Sequence, residues 1–228
     1  MTMRPFVAGS ALSLLVALPL TAQFEGTVTM SLPGGKQPSE MTFYAKNNQL
    51  ASSMLIASGQ MSGQTMRMIY DIPGGKVAVF VPMAMGNAKG VRMDVDLHAP
   101  GGKQHAIEVK PLGTSQTIAG RHCDDIQILE DGNATIKACI SGELGPFAMA
   151  NMSAAGRGAS APDWAGAFGR RPMFPLKVTG ADGKVIMEAT VVHSETVRPE
   201  VFAVPEGYMD MSGMSGMMGG MGRGPTKP

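Results

Sequence analysis

Turn-forming residues interrupt this chain at short intervals, and one four-residue punctuation appears three times, as Pro33-Gly-Gly-Lys36, Pro73-Gly-Gly-Lys76 and Pro100-Gly-Gly-Lys103. Proline presets one backbone angle and glycine enters the left-handed region without steric cost, so each copy suits a tight reversal. Asp131-Gly132 and Asp182-Gly183-Lys184 are related signals. Between such turns no strand pair is linked by an amphipathic helix of the length that joins parallel strands, and the pattern predicts an antiparallel meander. Strand-like runs fall at residues 24–30, 42–46, 49–54, 65–70, 77–81, 91–97, 105–109, 122–129, 134–140, 176–179 and 185–193. Alternation is clearest where Val91, Met93, Val95 and Leu97 share one face and Arg92, Asp94 and Asp96 the other. One face of that strand is buried and one is wet.

Two cysteines, Cys123 and Cys139, flank the Asp131-Gly132 turn, and Asp-Gly between strand-like runs is a strong hairpin signal. Folding the chain about Asp131, with a one-residue bulge beside the turn, places Cys123 opposite Cys139 and predicts a disulfide. The pair lacks the Cys-x-x-Cys spacing of redox-active thiols.

Aromatic residues make up 5% of the chain while methionine reaches 21 and glycine 30, so apolar volume has to come from Val, Ile, Leu, Ala and Met. Met is flexible, and a core rich in it adapts its shape. Helical signals are confined to one stretch. Residues 146–152 can start a short helix, and residues 160–170 place Pro162 near a first helical position with Trp164 and Phe168 at i, i+4 spacing. The expected fold is mainly β (α+β): a curved antiparallel sheet or half-barrel with one or two short helices packed on it.

The ends of the chain differ from its middle. Arg4, an apolar run over residues 6–20 and the small residues Thr21 and Ala22 have the layout of a cleavable secretory signal peptide, cut after Ala22. That run is short for a membrane span and contains Gly9, Ser10, Ser13 and Pro19. The expected organisation is a signal peptide over 1–22, one β-rich domain over 23–208 and a flexible tail over 209–228, in a protein exported to the periplasm or beyond, without a stable anchor after cleavage. The tail carries Met209, Met211, Met214, Met217, Met218 and Met221 among glycines. Their Met-x-Met and Met-x-x-Met spacings let several thioethers converge on one soft ion, and Cu(I) is the cofactor such a set would take. A solvated low-complexity tail accounts for the same residues.

No motif of nucleophilic, zinc-protease, phosphate-cradling or dinucleotide-binding chemistry occurs. His98, His105, His122 and His193 lack ligand spacing, and Asp124 and Asp125, as strand neighbours, point to opposite faces and make a poor acid/base couple. The formal net charge of +1, without a basic cluster, argues against nucleic acid as a partner. These features predict a non-enzymatic domain.

Three short segments carry a resemblance: Phe24-Glu-Gly-Thr-Val28, Thr117-Ile-Ala-Gly-Arg-His-Cys123 and Val201-Phe-Ala-Val-Pro-Glu-Gly-Tyr208. They resemble the first strand, the Ile-x-Gly-x-x-Cys strand entry and the Phe-x-Val-Pro-x-Gly-Tyr closure of the secreted bacterial domain-of-unknown-function family four-four-one-two, over residues 24–208. The resemblance implies no catalytic residue. It does imply a layout similar to lipoprotein-carrier domains, whose curved sheet can leave an apolar cavity. A half-barrel lined by Met and Val would accept a flexible apolar small molecule or lipid, with Met66, Met68, Met93, Val95 and Trp164 as candidate lining residues. Core packing, with Trp164 as an anchor, accounts for the same residues.

Overall fold

The computed structural model describes residues 24–33, 39–56, 62–97, 106–148, 168 and 173–212. Among the described residues twelve strands form one sheet: β1 (Gly26–Leu32), β2 (Ser39–Lys46), β3 (Gln49–Leu55), β4 (Thr65–Asp71), β5 (Lys76–Met85), β6 (Ala88–Asp96), β7 (Ile107–Ile118), β8 (Arg121–Glu130), β9 (Asn133–Ser141), β10 (Phe174–Gly180), β11 (Val185–Ser194) and β12 (Tyr208–Asp210). Each of the eleven strand-like runs read from the sequence falls within or overlaps one of β1 to β11. The spatial order is β12-β6-β5-β4-β3-β2-β1-β11-β10-β9-β8-β7. Two antiparallel meanders, β1 to β6 and β7 to β11, are thus joined by the pairing of β1 with β11, from Gly26 opposite Ser194 to Ser31 opposite Glu188.

The reversals follow the turn chemistry. Asp131 and Gly132 both take positive φ, 50° and 80°, as a two-residue hairpin of matching twist requires. At the Pro73-Gly-Gly-Lys76 turn the Asp71 carboxylate accepts from the Gly74 amide at 2.9 Å, and Gly75 has φ 64°. The other two copies of this turn lie largely outside the described residues, as does the segment expected to be a signal peptide. Of the expected helices, residues 146–148 are irregular and the rest is outside the described residues apart from Phe168; among the described residues 3-10 structure occurs at Pro199–Val201 and at Ser212.

The sheet curls. Phe43 on β2 and Phe174 on β10 belong to strands three positions apart, about 14 Å in a flat sheet, yet their rings meet edge to face at 5.5 Å. Phe147 packs on both, at 5.3 Å from each, and on Phe168 at 5.9 Å. All four rings are essentially excluded from solvent, and full burial of such a ring stabilises by roughly 2 to 3 kcal/mol. Residues 144–148 therefore cross the concave face and fill the part of it near β2 and β10.

On the opposite face the chain end forms a strap. The Glu25 carboxylate accepts from the Val197 amide at 2.8 Å, and Lys46 bridges that carboxylate and the Val197 carbonyl. The Arg67 guanidinium then donates to the carbonyls of Glu200, Val201 and Ala203. Tyr208 stacks edge to face on Phe80 at 5.3 Å, and Gly90 permits this approach, since a Cβ there would collide with the Val81 carbonyl and the Tyr208 ring. β12 then runs parallel along the free edge of β6, Tyr208 opposite Gly90. The closing Phe-x-Val-Pro-x-Gly-Tyr segment is thus an edge cover.

Cys123 and Cys139 are bonded, with Cα atoms 5.3 Å apart. The register differs from a fold about Asp131. Asp125 is the residue opposite Cys139, because the extra residue beside the turn is Thr135 on the second strand, between the pairs Leu129–Ala134 and Ile128–Ile136. The bridge therefore runs diagonally across the hairpin. Asp125 beside it is 4% exposed. Burial by itself would raise this carboxyl, but hydrogen bonds from Thr114 and Gln116, both 2.7 Å, and the Lys137 ammonium at 3.2 Å outweigh burial and hold it below the usual carboxylate range. Asp124, its neighbour, is exposed beside His122.

The disulfide closes a separation of 16 residues, for which chain entropy gives about 3 kcal/mol. Replacing Cys123→Ser and Cys139→Ser together should lower the unfolding free energy by about that amount in a urea titration; an unchanged midpoint would mean that the bridge does not constrain the unfolded chain.

Candidate functional site

From β3 to β6 the strands pair in continuous register apart from an irregularity between Pro82 and Met85, and alternation puts two cross-strand rows on the concave face. One row runs Phe43, Ser52, Met68, Val79, Met93; the next runs Ala45, Leu50, Tyr70, Val77, Val95. Exposure changes along each row. Met68, Val79, Leu50 and Val77 are buried, whereas Met93 and Val95 on β6 are only partly covered, as are Met54 and Leu97 nearby. This apolar strip of the concave face, here called the trough, is covered at β4 and β5 and more open at its β6 flank.

Four of the candidate lining residues meet here. Met66 and Met68 are floor residues, 5% and 1% exposed, and Met93 and Val95 form the flank. Trp164 lies outside the described residues. A separate cleft between Phe24, Lys46, Leu50, Leu144 and Pro146 has a volume of about 10 Å³, room for one water rather than a ligand.

A polar group sits within the trough that the sequence reading does not single out. The Ser52 hydroxyl lies 3.1 Å from the Tyr70 hydroxyl, which in turn reaches the Met68 sulfur at 3.6 Å. Ser52 is 0% exposed and Tyr70 6%. Burial pushes the Tyr70 hydroxyl up to about 12, against a smaller lowering effect of its bond to Ser52, so it stays a neutral donor. The sequence signal is thin: Ala51-Ser52-Ser53 shows no alternation, and Tyr70 lies on the neighbouring strand, diagonal to Ser52, a placement that needs the register.

The methionines expected to form a free tail begin inside the sheet. Met209 belongs to β12 opposite Val91 and is 47% exposed; Met211 donates its amide to the Arg92 carbonyl and packs against the core; the Ser212 hydroxyl accepts from the Asp94 amide. Met214, Met217, Met218 and Met221 lie outside the described residues. Among the described residues no group of three or more His, Cys, Asp or Glu is arranged to hold a metal ion, and no helix is long and apolar enough to cross a membrane.

Solved structures similar to this chain include a crystal structure of MucB (TM-score 0.41, 10% identity, covering 81% of this chain and 58% of that one). Others are MucB in complex with MucA(peri) (TM-score 0.37, 10% identity, 83% and 56%) and the Pseudomonas aeruginosa MucA/MucB complex (0.36, 11%, 80% and 55%). The chain spans a little over half the length of these structures. No curated protein matches it in sequence. The family described as "Domain of unknown function (DUF4412)" matches residues 24–208, from two residues ahead of β1 to the tyrosine that opens β12. The chain belongs to the DUF4412 family.

Proposed function

We propose that this protein is a non-enzymatic, exported binding module that holds an apolar small molecule or lipid in the trough of β3 to β6. The observation that carries the reading is the graded exposure of one continuous apolar face: Met68 and Val79 are buried while Met93, in register with them, is only partly covered. Met side chains repack at low cost, so a floor and flank built from them accommodate varied apolar shapes. Export is supported by the disulfide, which persists in oxidising compartments, and by the leader-like layout of residues 1–22.

The test is titration of the protein with a fluorescent hydrocarbon such as diphenylhexatriene. Met93→Asp and Val95→Asp each add a charge to the flank without touching the buried floor, and each should weaken binding at least about tenfold, since an unpaired carboxylate in an apolar site costs several kcal/mol. Failure of the wild type to bind, or equal binding by the variants, would contradict the reading.

A second reading is favoured by Met209, whose thioether side chain is exposed on β12 two residues from Met211. Together with the methionines that follow, they form a soft donor set for Cu(I). Competition against a Cu(I) chelator should find uptake by the intact chain that falls on Met209→Leu with Met211→Leu and on truncation after Ser212. Equal uptake in all three proteins would remove this reading.

A further inference from the structure

The edge strand β12 lies opposite Gly90, Val91 and Arg92 of β6, and side chains opposite each other share a side of the sheet. Met209 faces Val91, a concave-face residue, so its side chain emerges on that face at the rim of the trough. Met211, two residues on, shares that side. Its amide donates to the Arg92 carbonyl, and the Ser212 hydroxyl accepts from the Asp94 amide, which sets Met211 beside Met93. Opposite residues on neighbouring strands have Cβ atoms about 5 Å apart, and alternate residues on one strand lie about 7 Å apart. A methionine sulfur sits two bonds beyond its Cβ, so the thioethers of Met93, Met209 and Met211 can converge on one point. Packing accounts for Met93 and Met211, which rest partly covered against the core. It does not account for Met209, 47% exposed on an edge where charged residues ordinarily stand. Nor is the strand loosely held: on the other side Tyr208 packs on Phe80, and the Asp210 carboxylate accepts from both the amide and the hydroxyl of Ser212.

Resting on the reading of these methionines as soft donors, we propose that Met93, Met209 and Met211 form a three-thioether site for one Cu(I) ion, built on β6 and β12 within the folded sheet. The donor set decides the ion. Uncharged sulfur suits soft Cu(I), whereas harder cations take carboxylate, carbonyl or imidazole ligands. Among the described residues no group of three or more His, Cys, Asp or Glu is arranged to supply those. The nearby carboxylates face away: Asp94 is paired with Arg92, and Asp210 lies opposite Arg92 on the same convex side. Met93 is the donor that ties the ion to the fold, because it comes from β6 while the other two come from β12. The fixed register of the two strands holds the three sulfurs near one another before the ion arrives, and rotation about the methionine side-chain bonds closes the remaining distance.

Titration of the intact chain with Cu(I) under ascorbate, followed by NMR of isotope-labelled methionine methyl groups, tests this. The first equivalent should shift the signals of Met93, Met209 and Met211 together and leave those of Met30 and Met68, both buried, in place as reporters of the fold. Met93→Leu, and Met209→Leu at its exposed position, should each weaken that first equivalent at least about tenfold in competition with a Cu(I) chelator while the reporter signals stay unchanged. Truncation after Ser212 should lower total uptake but keep the first equivalent within about threefold of the intact chain. Shifts confined to methionines beyond Ser212, undiminished affinity in either variant, or loss of all binding on truncation would each overturn the site while leaving copper binding by the remaining methionines standing. Absence of uptake by the intact chain would overturn the soft-donor reading and this site with it.

Discussion

The pairing of β1 with β11 holds this structure together. Each meander can form from local hairpins, but neither encloses a core alone. Val28 opposite Val192 and Met30 opposite Ala189 join residues more than 150 positions apart in the chain, and closing so long a loop costs entropy that only the buried contacts on either side can offset. Once the seam forms, Phe43 from one meander and Phe174 from the other come into contact, with Phe147 wedged against both. The curl, the filled centre of the concave face and the position of the trough all follow from that seam.

The edges of a sheet this wide need separate treatment, since unpaired strand edges template association. β6 is covered by the chain's own end, through the Arg67 clamp on the strap, the Phe80–Tyr208 contact and the short parallel β12. β7 is interrupted instead: Pro111 lacks a donor, and the pairing with β8 breaks between Pro111 and Ser115, where Gly113 has φ 70°. Lys110 adds charge along the same edge. These devices break a long strand into shorter pieces less suited to continuous pairing.

Much of this was legible in the sequence because turns and alternation are local signals. The Asp-Gly hairpin, the separation of Asp124 from Asp125 and the apolar face of β6 needed only neighbouring residues. What was not legible depended on distant ones. The Cys123–Cys139 register turned on a bulge at Thr135 that no residue type announces. β12 is three residues long and acquires its strand character from β6, so the methionines that read as a loose tail begin on a paired strand. Ser52 looks like a surface residue until Tyr70 is laid beside it. The candidate site was therefore half readable: its methionines stood out by composition, and its hydroxyls only by placement.

Native-state hydrogen exchange across β1 and β11 tests the account most directly. If the seam makes one cooperative sheet, amides of Val28 and Met30 on β1, Met68 on β4 and Ile126 and Ile128 on β8 should share a single, global opening free energy and lose protection together as urea rises. Protection that persists in β7 to β10 after β1 to β6 have lost theirs would mean two independent meanders. It would contradict both the seam and the continuous concave face built on it.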